Sequence, residues 1–140
     1  MADKTHVRTE NMPFAGGAAS LTELIAFAGT LGLPTTFSPI TYDVDGATIT
    51  FNLAVTNWHT VTLGGNRTLA LSNPTVGQQF SIILIQDGTG SRTVTWFPTV
   101  KWPSATPPTL TTTAGGIDVF TFKIVGAGVI YGFTAGQAMG

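Results

Sequence analysis

Ala47-Thr-Ile-Thr-Phe-Asn-Leu53 alternates without a break, with Ile49, Phe51 and Leu53 on one side and Thr48, Thr50 and Asn52 on the other. Successive side chains of an extended strand point to opposite faces, so this stretch reads as a strand with one face in a core. The pattern returns in Thr60-Val-Thr-Leu63 and Thr68-Leu-Ala-Leu71, and Gly64-Gly65-Asn66 between them is a hairpin signal. Gln78 to Gln86 is apolar on both sides at its centre, which marks a strand inside a sheet. After the Asp87–Ser91 turn come Arg92 to Phe97, then Val119 to Val125 with Phe120, Phe122 and Ile124 aligned. Ala127-Gly128 turns the chain into Val129–Phe133, where Val129, Tyr131 and Phe133 alternate. Pro98, Pro103, Pro107 and Pro108 break the region around Val100-Lys101-Trp102 into loop. Short strands separated by Gly and Pro predict an all-β domain over residues 42–140, an antiparallel β-sandwich or jelly-roll-like fold. Ile82, Leu84, Phe120 and Phe122 are expected in its core.

Upstream the character changes. Residues 1–20 show neither strand nor helix period and include Met12-Pro13-Phe14 followed by Ala15-Gly16-Gly17-Ala18-Ala19, the composition of an extended N-terminal arm. Residues 21–41 form a short helix and a connector. Leu21, Leu24, Ile25, Ala28 and Leu31 fall on one helical stripe, Ser20 and Glu23 suit a capping box, and Gly32-Leu33-Pro34 ends it.

Composition narrows the function. The 140 residues suffice for one domain with a real core. Only 9% are charged, against roughly 25% in an ordinary soluble domain, and Thr, Ser, Asn and Gln fill the gap. A net charge of -1 supplies no field for a polyanion, which disfavours nucleic acid as a partner. The absence of cysteine removes disulfides and thiolate chemistry. No run reaches the ~20 apolar residues of a membrane span, and the polar start, Met1-Ala-Asp-Lys-Thr-His6, has no signal-peptide layout, so synthesis in a cytoplasm is expected. So few charges leave much of the exterior neutral or apolar, a surface suited to burial against other subunits. The expectation is a protomer of an assembly.

Side chains capable of catalysis are sparse. His6 and His59 are isolated, and a histidine at the surface or in an interface accounts for each. Asp43-Val44-Asp45-Gly46 begins like a calcium loop, but the next carboxylate is Asp87, so an Asp-Gly turn is the better reading. Asp87 and Asp118 sit at turns and strand starts, Ser81 lies in no nucleophile elbow, and Gly88-Thr-Gly-Ser-Arg92 lacks the end of a phosphate loop. No enzyme, metal site or cofactor is expected. Trp58, Trp96 and Trp102 could stack on a sugar, although core or interface packing explains such residues as well.

Val61-Thr-Leu-Gly-Gly-Asn-Arg-Thr-Leu-Ala-Leu-Ser-Asn73, Ile85-Gln-Asp-Gly-Thr-Gly-Ser-Arg-Thr-Val-Thr-Trp96 and Asp118-Val-Phe-Thr-Phe122 share a cadence of turns and strands. From about Thr48 to Phe133 the chain resembles a β-rich module of tailed-bacteriophage structural proteins, found in tail-fibre regions and small virion proteins. The resemblance implies a non-enzymatic virion component that is homo-oligomeric, often trimeric. At this length, without long repeats or a heptad stalk, a capsid decoration (cement) protein is expected, a homotrimer bound to the major capsid protein on the capsid surface. Met12, Pro13 and Phe14 would then anchor the arm on the shell. The alternative is a tail-fibre or tail-tip receptor-binding module recognising host-surface glycan through Trp58, Trp96 or Trp102.

Overall fold

The computed structural model describes Glu23, Ala26 and residues 39–140. Glu23 and Ala26 are helical, within the expected helix. The arm residues Met12, Pro13 and Phe14 lie outside the described residues. The chain divides between Phe37 and Ser38, and the second unit, Ser38–Gly140, holds every strand below.

Its strands are β1 (Ile40–Tyr42), β2 (Thr48–Asn52), β3 (Trp58–Leu63), β4 (Arg67–Ser72), β5 (Gln79–Gln86), β6 (Val94–Thr95), β7 (Val100–Lys101), β8 (Ile117–Gly126) and β9 (Val129–Met139). The sequence placed most of them, and β is the class. Their pairing differs from expectation. The strands form a six-stranded sheet in the order β1-β3-β5-β8-β9-β7 and a three-stranded sheet in the order β2-β4-β6. From β1 to β6 the chain changes sheet at every connection, so β1, β3 and β5 lie parallel in one sheet and β2, β4 and β6 lie parallel in the other. Ile40 pairs with Trp58 eighteen residues on, and Thr48 with Thr68 twenty on. This is a coil of three turns. Only β5–β8 and β8–β9 are antiparallel, so the wholly antiparallel arrangement is corrected to mixed sheets.

The correction has a local cause at Gly64-Gly65-Asn66. These residues do not fold β4 back onto β3; they carry the chain across to the other sheet. Their neighbours bond to adjacent turns of the coil: Arg67 donates from Nε and Nη2 to Asp45 of the preceding connection at 2.8 and 2.6 Å, and Asn66 Oδ1 accepts from Thr93 N of the next at 3.0 Å. Neither glycine has a positive φ. They are small for room, since a Cβ on Gly64 would meet Asp45 Oδ2 at 2.8 Å and one on Gly65 would meet Arg67 Nη1 at 2.7 Å.

Ile49, Phe51 and Leu69 from the smaller sheet meet Leu63, Phe80, Ile82 and Phe122 from the larger one in a single core. Beyond the smaller sheet, the segment around β6 and β7 supplies the cover. Trp96 stands edge-on to Trp102 and to Phe120, each at a centroid distance of 4.9 Å, an arrangement aromatic quadrupoles favour. Trp102 lies so close to β9 that a Cβ on Gly132 would sit 2.8 Å from its ring.

Candidate functional site

Catalytic chemistry needs side chains held ready for a substrate, and the four described aspartates are already engaged. Asp43 Oδ2 meets His59 Nδ1 at 2.9 Å. His59 is 1% exposed, with its ring 5.2 Å from that of Phe51. The expected surface or interface histidine is therefore a core residue. Its Nε2 has no hydrogen-bond partner among the described residues. Asp45 is bound bidentately by Arg67, and that hydrogen bond is the main reason its carboxyl lies below the usual range. Asp87 accepts from Arg92 Nη2 at 2.7 Å and from the N–H groups of Thr89 and Gly90 at 3.0 Å each. Chiefly through Arg92, its pKa is lowered to about 2.

Asp118 is the buried carboxylate of the set. It accepts from Thr111 N at 2.7 Å, Thr111 Oγ1 at 2.6 Å and Ala138 N at 3.1 Å, fastening a loop and the end of β9 to β8. Asp43, Asp45, Asp87 and Asp118 thus each hold a structural partner, and of the four Asp43 is the one set against a histidine. No group of His, Cys, Asp and Glu among the described residues could hold a metal ion.

The connections on the opposite side of the coil use amides instead of charges. Asn73 Nδ2 donates to Asn52 Oδ1 at 2.8 Å, while Gln78 Nε2 donates to Leu53 O at 2.8 Å and Asn57 Oδ1 at 2.7 Å. Both kinds of connection tie successive turns together.

The three tryptophans do not share a surface. Trp96 and Trp102 pack on the inner side of the large sheet among Phe97, Phe120 and Phe122, whereas Trp58 is 42% exposed on its outer side. A sugar platform built from all three is not formed. A cleft of about 570 Å³ opens between β4 and the β8–β9 turn, lined by residues such as Leu69, Val76, Phe97 and Ile124, and no charged side chain lines it.

The feature that sequence reasoning missed is the outer face of the six-stranded sheet. Val129, Tyr131 and Phe133 point there, while Ile130 and Gly132 point into the core. Tyr42, Trp58, Tyr131 and Phe133 expose aromatic rings on it, and Ile83, Ile85, Ile117 and Val119 form its apolar floor. The double-sided apolar run in β5 was the available signal: an ordinary one-sided sheet does not need Ile83 and Ile85 opposite Ile82 and Leu84.

A family model described as "putative phage tail fibre C-terminal domain" matches residues 37–129, about two thirds of the chain. No curated protein and no solved structure matches significantly.

Proposed function

The chain belongs to the phage tail fibre C-terminal domain family, and on that premise we propose that it is a tail-fibre or tail-tip module that meets the host surface. Membership makes it a phage virion structural module. The finer reading is ours: a tail location, a host-surface glycan as the ligand class, homo-oligomeric assembly with a trimer as the expected state, and no enzymatic activity. The capsid decoration reading gives way here, because the matching family is one of tail fibres and nothing links the chain to a head. The capsid surface and the major capsid protein leave the proposal with it.

The single observation that carries the reading is the family match over residues 37–129. The geometry is compatible with it. A coil whose successive connections are pinned together by Asp45–Arg67 and Asn52–Asn73, with Asp87–Arg92 bracing a third connection from within, suits a carrier for exposed loops, and binding residues are commonly borne by loops on rigid scaffolds. Since Trp96 and Trp102 point inward, glycan recognition does not rest on a platform of all three tryptophans. The engaged state of Asp43, Asp45, Asp87 and Asp118 supports a non-enzymatic role.

The test is where the protein sits and what it touches. Gold-labelled antibody against the chain is expected to decorate the tail ends of the parent virion, and purified protein is expected to bind host cells and compete with phage adsorption. Label confined to heads, with no cell binding, would overturn the proposal. A glycan array on the purified chain tests the ligand class separately, and silence there removes the glycan.

A further inference from the structure

We infer that the outer face of the six-stranded sheet is the surface on which copies of this chain meet; the inference rests on the homo-oligomeric part of the reading above. Strand register fixes what shares this face. Ile40 pairs with Trp58, Trp58 with Ser81, Ser81 with Thr121 and Thr121 with Phe133, one continuous row across five strands. The next rows carry Ile83 beside Val119 and Ile85 beside Ile117, then Met139. Six large side chains, Ile40, Tyr42, Trp58, Tyr131, Phe133 and Met139, are each between 42% and 81% exposed. Aromatic side chains present on the order of 150–250 Å² each when fully open. Half of that over the four aromatic residues is roughly 300–500 Å², and Ile40, Met139 and the half-buried floor add to it toward the ~800 Å² per partner of a stable interface.

Three properties of the face select a second copy as its occupant. The first is charge. Among the described residues no carboxylate lies on it, and the lysines there, Lys101 and Lys123, both flank Tyr131 at one end. Two copies can therefore meet without burying an ion, since long lysine stems carry their ammonium groups out to water. The same lack of charge offers nothing for a charged foreign partner to read. The second is polarity. The Ser81 hydroxyl donates to Thr121 Oγ1 at 3.3 Å and the Thr121 hydroxyl donates to Phe80 O at 3.4 Å, so the row can be desolvated without stranding them. Interfaces this apolar are typical of permanent homo-oligomers, whereas transient partners meet on more polar surfaces.

The third property is shape. Tyr42, 81% exposed, stands beside a shallow apolar hollow of about 390 Å³ whose floor is Ile83, Ile85, Ile117 and Val119. A knob next to a hollow on one surface lets each copy seat Tyr42 in the hollow of a neighbour, a contact that can close a ring of copies. A consequence follows for the receptor: Trp58 is buried between copies, and host contacts fall on the connections and loops.

The experiment is the mass in solution of the full chain by analytical ultracentrifugation across a range of concentrations. A multiple of 14.6 kDa is expected for the native chain. Tyr42→Arg and Phe133→Arg, both at exposed positions, are each expected to weaken association about thirtyfold or more, and together to yield a folded monomer by circular dichroism. Val55→Arg adds the same charge at an exposed residue away from this face and is expected to leave the mass unchanged. A native chain that stays at 14.6 kDa, its face covered by residues 1–37 or by another protein, overturns the inference. So does a double variant that keeps its native mass. Tail labelling without a mass shift sinks this surface and spares the tail reading; a mass shift without tail labelling does the reverse.

Discussion

The two faces of the six-stranded sheet are built from the same strands, yet one is a core and the other is a second apolar surface. On the inner face Phe80, Ile82, Leu84, Phe120 and Phe122 are at most 2% exposed. On the outer face of the neighbouring β9, Phe133 is 42% exposed, and the floor between β5 and β8 is only half-buried. In a sheet with one wet side, alternation produces polar residues outward. Here alternation persists but both phases carry large apolar side chains, which separates the residues that fold the protomer from a second apolar set that stays partly exposed.

Phe122 and Phe133 test this separation most directly, because they share a residue type and lie on adjacent paired strands. Phe122→Ala removes a ring stacked 4.9 Å from Phe80 and is expected to cost about 3–5 kcal/mol by chemical denaturation. Phe133→Ala is expected to cost the dissociated protomer less than half as much. Equal losses would mean that the outer face belongs to the protomer's own core.

Two further variants probe the inner side. Asp118→Ala strands the N–H and hydroxyl donors of Thr111 and leaves Ala138 N with Thr111 Oγ1 as its acceptor. The expected loss is about 2–4 kcal/mol, with faster hydrogen exchange at the end of β9. An unchanged midpoint would show that water replaces the carboxylate there without cost. Gly132→Ala pushes a methyl group into Trp102 and Val100, whose atoms lie at 2.8 and 2.9 Å from the added carbon. Overpacking of this kind is expected to cost about 1–3 kcal/mol, and a red shift in tryptophan emission would report a displaced Trp102. If stability and emission both stay put, the contact relaxes freely and the ring is not held by β9.

Much of the fold was legible in the sequence, but not its pairing. Ile49-Thr-Phe51 and Phe120-Thr-Phe122 announce strands because burial of one face enforces a period of two. That period is identical in parallel and antiparallel sheets, so nothing in Thr60–Leu71 could reveal that Gly64 and Gly65 make room for the side chains of Asp45 and Arg67 instead of closing a hairpin. The partner of Arg67 lies 22 residues upstream and becomes visible only when the connections stack. Trp96 and Trp102 carried the opposite ambiguity: rings that could stack on a sugar can stack on Phe120, and burial decides between them. The outer face was half legible, in β5, where Ile83 and Ile85 break the polar phase that alternation would leave to water.

The charged connections give the smallest expected effect, and its sign is fixed. An aspartate in the unfolded chain titrates near 3.8, whereas Asp87 in the folded protein titrates at about 2, held down first by Arg92 and then by the N–H groups of Gly90 and Thr89. Asp45 is lowered in the same direction by Arg67. A depressed folded pKa contributes stability that is fully present above the unfolded value and is lost as pH falls toward the folded one. Melting temperature is therefore expected to hold above about pH 4 and to decline from there toward about pH 2. Asp87→Asn should flatten that decline while lowering the plateau slightly, and added salt should blunt it, since both partners are open to solvent. An acid slope identical in Asp87→Asn would assign the loss to other carboxylates. The charged side of the coil would then be an ornament on a structure held by its amide connections and its core.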